Sequence, residues 1–143
     1  VDQGCAPSYS YLFAFEFPYK GGMPAWHCSD IPFLFKTTSV QPCTQMGPDI
    51  DELEGKMSHA IANFCRTGDP NIEPDGGENL ALPHWDPVTE DAFNTMIFDR
   101  VCEQKTNFDD ELEAAISAVS GGFRFMMQSF YDETAANTHD WMY

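Results

Sequence analysis

The chain has 143 residues, with 23 acidic against 7 basic side chains and a formal net charge of -16. Too few Lys and Arg are present for the basic clusters that nucleic acid or an anionic membrane surface requires, so neither partner is expected, and no apolar run approaches the ~20 residues that span a bilayer. A composition 43% hydrophobic and 14% aromatic supports one packed core at this length, and the aromatic excess suggests surface that something else covers.

The chain opens Val1-Asp2-Gln3-Gly4 with no Met, so the true N-terminus is expected upstream and no targeting segment can be read. The first predicted element is a strand. Over residues 8–17 the odd positions Tyr9, Tyr11, Phe13, Phe15 and Phe17 are aromatic, while Ser10, Leu12, Ala14 and Glu16 are smaller or mixed. Period two with β-favouring aromatics predicts a strand. Leu12 and Ala14 make its second face partly apolar, as in a strand interior to a sheet with helices on both sides. No run of comparable strength follows before Thr95, which implies that most of the sheet lies outside this chain. Pro18 ends the strand because it has no N–H for a ladder, and Gly21, Gly22 and Pro24 mark a loop. His27 therefore falls on a loop just past the end of a core strand, the place where open α/β sheets put their working crevice. Pro32 disfavours helix at Ile31 but can itself open a short one, and Phe33 and Phe35 are expected to pack back toward the core.

After a polar, proline-bearing stretch at 37–48, the clearest helix is predicted over 51–67. Ile50, Leu53, Met57, Ala60, Ile61, Phe64 and Cys65 form its apolar stripe. Asp49 and Glu52 have the spacing of a capping box, and Gly68 supplies the stop. Gly55 costs about 1 kcal/mol against Ala, which points to close packing there. Asp69-Pro70-Asn71 turns the chain into a loop at 72–80, and 95–98 reads as a short edge strand. A second helix is predicted from Asn107 as cap, with Asp109, Asp110 and Glu111 where the helix dipole favours acids and a stripe of Leu112, Ala115, Ile116 and Val119. Gly121 and Gly122 end it, and Phe123, Met126, Met127, Phe130 and Tyr131 repeat helical spacing. The chain is thus expected to divide into a segment at 1–107 and a helical extension of the same domain at 108–143.

The cysteines, Cys5, Cys28, Cys43, Cys65 and Cys102, are odd in number and lack Cys-x-x-Cys spacing, so neither a zinc site nor a redox pair is expected. Free thiols in a reducing, cytoplasmic compartment are the favoured reading; a Cys28–Cys43 bridge, or one bridge to a missing portion, is the alternative. His59, Cys65, His84 and His139 have no ligand spacing that would hold a metal, and none is expected.

Three stretches stand apart: Gly22-Met23-Pro24-Ala25-Trp26-His27-Cys28-Ser29-Asp30-Ile31-Pro32-Phe33-Leu34-Phe35; Phe64-Cys65-Arg66-Thr67-Gly68-Asp69-Pro70-Asn71; and Trp85 followed by Met96-Ile97-Phe98-Asp99. In this order and spacing they resemble the type-B carboxylesterases, the cholinesterase-like branch of the α/β-hydrolases. In that family a catalytic histidine on a loop is followed three residues on by an acid and then by Ile/Leu-Pro-Phe-x-Phe. The resemblance implies an α/β fold class, specifically the C-terminal part of an α/β-hydrolase: a central, mostly parallel sheet flanked by helices and completed by a missing upstream portion.

No Gly-x-Ser-x-Gly occurs in the 143 residues, and the nearest run, Ala118-Val119-Ser120-Gly121-Gly122, has Ala for the first Gly. The family's triad runs nucleophile, acid, histidine along the chain. The serine and its Asp or Glu are therefore expected on the upstream portion of the same enzyme, carried by a second chain, and the substrate implied is a small-molecule ester. The resemblance makes His27 the triad base and needs no cofactor. It gives Asp30 a structural role, bonding backbone near the loop. Trp26 and Met23 flank the histidine as candidates for lining the substrate pocket, against an ordinary packing role. The alternative function is a non-catalytic cholinesterase-like interaction domain, against which the retained His27 speaks.

Overall fold

Alternating aromatics do build the first strand, but a short one. A computed structural model describes residues 6–41 and 48–120 and places β1 at Ser10–Phe13. It lies parallel to β2 (Asn94–Phe98), with Ser10 opposite Thr95 and Phe13 opposite Phe98. One further ladder bond runs from the Ala14 N–H to the Phe98 carbonyl, 2.9 Å. Beyond it the partner strand turns away, the Arg100 N–H donating to Asp99 Oδ1, so among the described residues the strand predicted to residue 17 has no partner past Ala14. Phe17 forms an antiparallel bridge to Met23 instead.

Residues 95–98, expected at an edge, belong to the middle strand of the described sheet, because β3 (Glu103–Thr106) pairs antiparallel with β2 on the side away from β1. All five β2 residues are buried. The sequence gives no sign of β3: Glu103-Gln104-Lys105-Thr106 has no apolar alternation, and its extended state comes from the pairing itself. Its charged, largely exposed residues discourage further pairing on that side. Asn107, expected to cap a helix, closes the sheet. At φ 52° its N–H donates to the Phe93 carbonyl (3.1 Å) and its Oδ1 accepts the Phe93 N–H (2.7 Å).

The short helix α1 spans Ile31–Leu34 and the long helix α2 spans Pro48–Thr67. Because α2 starts before the predicted boundary, Asp49 lies inside its first turn, and its carboxylate accepts from Arg100 Nε at 3.2 Å. Ile50, Leu53, Met57 and Ala60 are buried and join Phe15, Phe17, Phe33, Trp85, Met96, Phe98 and Cys102 in one core. The predicted stripe goes wrong at its end. At 3.6 residues per turn the buried row passes from Ala60 to Asn63, leaving Phe64 at 39% exposure and Cys65 exposed as well. Gly55 likewise has open space around it rather than close packing, and Phe35 is exposed while Phe33 is fully buried. Buried Glu54 accepts from both the N–H and the hydroxyl of Thr38, at 2.9 and 2.7 Å.

The run after α2 is a polar latch. Gly68, at φ 82°, returns its N–H to the Phe64 carbonyl at 2.8 Å, the left-handed stop that favours glycine. Asp69 Oδ1 then accepts both the backbone N–H and the side-chain amide of Asn71, at 2.8 and 2.7 Å. Asn71 in turn brackets the backbone of Trp85, donating to its carbonyl (2.8 Å) and accepting its N–H (2.7 Å). The Trp85 indole donates to the Ser10 carbonyl of β1 at 3.1 Å.

Phe108–Tyr143 forms a compact unit separate from Val1–Asn107. Its described helix, α3 (Asp110–Ser120), has Asp110, Glu111 and Glu113 in its first turn, and the side chains of Leu112, Ile116 and Val119 are exposed. Gly121, Gly122 and the helical spacing at 123–131 lie outside the described residues, as do Cys5, Cys43 and the bridge considered between Cys28 and Cys43. Cys28, Cys65 and Cys102 are free thiols.

Candidate active site

After Phe17 the chain doubles back through a 3-10 turn at Tyr19–Gly21. Phe17 and Met23 exchange N–H to carbonyl bonds at 2.8 and 2.9 Å. Between them Gly22 sits at φ 117°, where a Cβ would meet the Glu16 carboxylate, so glycine alone suits this return. Met23 packs against the core. Trp26 follows with its ring 4.6 Å from that of Phe17, yet it stays 40% exposed.

His27 and Cys28 are the two central residues of the next turn, which closes where the Ser29 N–H donates to the Trp26 carbonyl at 3.0 Å. Cys28 takes φ 66°, the geometry a type II turn demands at that position. Ser29 is buried and its Oγ accepts the Trp26 N–H at 3.1 Å, so the turn is bolted from inside while His27 stands exposed at its tip. The imidazole has no hydrogen-bond partner among the described residues.

Asp30, at the N-cap of α1, does not bond nearby backbone as the sequence led us to expect. Pro32 removes one first-turn donor, the Ile31 N–H goes to the Cys28 carbonyl (3.3 Å), and the Phe33 N–H goes to Asp30's own carbonyl (2.9 Å). The carboxylate instead accepts the Tyr11 hydroxyl at 2.7 Å. Tyr11 is held edge-on by Phe98 (5.6 Å) and Trp85 (6.5 Å). Burial, and after it the hydrogen bond to Asp30, push its phenol up to about 12. Tyr11 is therefore a neutral donor at any ordinary pH.

A separate apolar cleft of about 190 Å³ is lined by Tyr9, Tyr11, Ile61, Phe64, Pro70 and Trp85; His27, Trp26 and Met23 do not line it. The structure thus brings Met23, Trp26 and His27 onto one return behind β1. Sequence reasoning missed Tyr11 and Ser29. Tyr11 looked like one more aromatic of a strand face, and nothing in the spacing shows that its hydroxyl reaches across 19 positions to the loop.

A model of the carboxylesterase family matches residues 2–115. An esterase from anaerobic Clostridium hathewayi, described as able to hydrolyse aliphatic aromatic polyesters, is 50% identical over 74% of this chain and 20% of its own, with a TM-score of 0.67. A carboxylesterase from Geobacillus stearothermophilus is 27% identical over 75% of this chain and 21% of its own, with a TM-score of 0.60. A thermophilic PNB esterase, 19% identical over 73% and 21%, shares the fold at a TM-score of 0.62. No curated protein matches. The chain spans about a fifth of the length of these solved structures. They are α/β-hydrolases, and the small mixed sheet with its helices is part of that fold. With the family model spanning most of its length and a half-identical esterase sharing its backbone, the chain belongs to the carboxylesterase family.

Proposed function

We propose that this chain is the histidine-bearing portion of a serine carboxylic-ester hydrolase, with His27 as the triad base. The observation that carries the reading is the His27 turn. Its flanks are anchored by buried Ser29 and by Trp26 on Phe17, yet the imidazole itself projects exposed and unpartnered among the described residues. His59, by contrast, has its Nε2 joined to the Glu73 carboxylate at 2.6 Å. A catalytic histidine needs a free nitrogen facing the nucleophile and another facing an orienting acid.

In the mechanism this supports, a serine hydroxyl attacks the ester carbonyl as His27 takes its proton. The tetrahedral intermediate collapses, the carbonyl–alkoxy bond breaks, and His27 returns the proton to the departing alcohol. Water, deprotonated by His27, then attacks the acyl-serine; the carbonyl–serine oxygen bond breaks, His27 returns the proton to the serine oxygen, and the acid is released. The serine, the orienting Asp or Glu and the backbone donors of an oxyanion hole belong to the remaining portion of the enzyme, the partner polypeptide. That assignment is supported by the lack of Gly-x-Ser-x-Gly in the 143 residues, by the fifth of a full esterase that the chain spans, and by the outer edge of β1, which is unpaired among the described residues. Trp26 and Met23 flank the reacting centre as pocket walls.

In the complete enzyme, His27→Ala lowers kcat by at least ~10³-fold, the scale for loss of a triad base. The measurement is hydrolysis of a chromogenic short-chain ester, followed by an aliphatic–aromatic ester chosen from the half-identical relative. The 143-residue chain alone gives no turnover in the same assay. A variant retaining a tenth of the wild-type rate sinks the assignment.

A further inference from the structure

His27 has no side-chain tether of its own, so its orientation is inherited from the turn that carries it. That turn is held at its entry by Trp26 on Phe17, and within by Ser29 Oγ on the Trp26 N–H. At its exit the next residue is Asp30, and its carboxylate is joined to the Tyr11 hydroxyl at 2.7 Å. Every backbone N–H that Asp30 could cap is either missing, at Pro32, or already bonded to a carbonyl, so the carboxylate is free for this bond across the fold. The tyrosine end is rigid, because the ring is wedged against Trp85 and Phe98 on the central strand. A charge-assisted hydroxyl–carboxylate bond is short and strong among hydrogen bonds. It fixes the exit of the His27 turn to β1.

We propose that Tyr11 and Asp30 form a positioning pair: their hydrogen bond sets the angle at which the turn presents His27 to the nucleophile. Neither touches the reacting atoms, and neither is the orienting acid of the triad. The inference rests on the reading of His27 as the triad base. Misplacing a catalytic group by about 1 Å can cost on the order of 10²-fold in rate without altering ground-state binding, so the signature is a loss in kcat with KM left alone.

The test uses the complete enzyme with Tyr11→Phe, Asp30→Ala, Asp30→Asn and the double variant Tyr11→Phe/Asp30→Ala, beside His27→Ala. Tyr11→Phe and Asp30→Ala each lower kcat by ~10-fold or more with KM within about twofold. The double variant is no slower than the worse single one, since both remove the same bond. Asp30→Asn, whose amide oxygen can still accept from Tyr11, recovers most of the loss. Tyr11→Phe removes one oxygen and keeps the ring packing, so it decides the matter even if Asp30→Ala does not fold. Wild-type kcat in Tyr11→Phe, losses that multiply in the double variant, or a rise in KM that accounts for the loss would each overturn the pair. If His27→Ala remains active, the reading of His27 has failed instead; if His27→Ala is dead and Tyr11→Phe is normal, the positioning pair alone has failed.

Discussion

Replacing Asn71 with Ala tests the polar latch that holds Trp85, and its cost can be worked from the bonds it removes. Trp85 is buried to 2% exposure, and its backbone N–H and carbonyl are both taken up by the Asn71 amide. Deleting that amide orphans two buried polar groups, each costing ~1 to 3 kcal/mol when left unpaired. Asp69 Oδ1 keeps its bond to the backbone of residue 71, so the turn itself survives. Some relief comes if water enters the gap, which puts the expected loss at ~2 to 5 kcal/mol. Asn71→Asp is a sharper probe. It keeps an acceptor for the Trp85 N–H but loses the donor to the carbonyl, and sets a carboxylate against Asp69 Oδ1, where the amide now lies at 2.7 Å. At neutral pH it should be at least as damaging as Ala; on acidification, protonation of one carboxyl restores a donor and part of the loss is recovered. Denaturant unfolding of the complete protein, followed by circular dichroism, measures both. An Asn71→Ala variant within about 0.5 kcal/mol of wild type, the range of an ordinary surface change, would refute the latch.

The buried row of α2 gives a second expectation: Leu53→Ala costs ~2 to 5 kcal/mol and Lys56→Ala stays within about 0.5. Phe64→Ala in the separately expressed chain costs less than half the Leu53 value, and equal effects at residues 53 and 64 in urea titration would show the row to be misassigned. A third concerns alkaline pH. Tyr11 has its folded pKa raised from 10.0 to about 12 by burial and by Asp30, so its contribution is fully present below pH 10 and is lost as pH rises through about 12. The urea midpoint should fall over that window and fall less steeply in Tyr11→Phe. Part of the slope persists, because burial and Asp69 raise Tyr9 as well; an unchanged slope contradicts the Tyr11 assignment.

What the sequence revealed was whatever a local pattern can encode. The start of the aromatic strand, the α2 stripe as far as Ala60, the Gly68 stop and the loop that follows Phe17 all depend on neighbours within a few positions, and all are found in the structure. What stayed hidden depends on partners distant in the chain. β3 is extended only because β2 lies beside it, β1 ends at Phe13 because β2 ends at Phe98, and Asn107 closes the sheet because Phe93 faces it. The same holds at the candidate site. That residue 27 stands on a loop was legible, whereas the bond from Asp30 to Tyr11 was not, because an acidic residue at a helix start signals a cap and only the fold shows that no donor is left for it to cap.

The pairing of β1 with β2 has a consequence for the order of events at the ribosome. Ser10 and Thr95, side by side in the sheet, are separated by 85 residues of chain. At ~5 to 20 residues per second, β1 leaves the tunnel some ~4 to 17 s before the strand that buries its aromatic face has been made. Through that interval Tyr9 and Tyr11 lack the Trp85 and Phe98 rings they pack against, for far longer than the microseconds in which such chains collapse. Phe33, made soon after β1, is already at hand for Phe13, Phe15 and Phe17. Nascent-chain chaperones would have to shield β1 until Trp85 and β2 arrive.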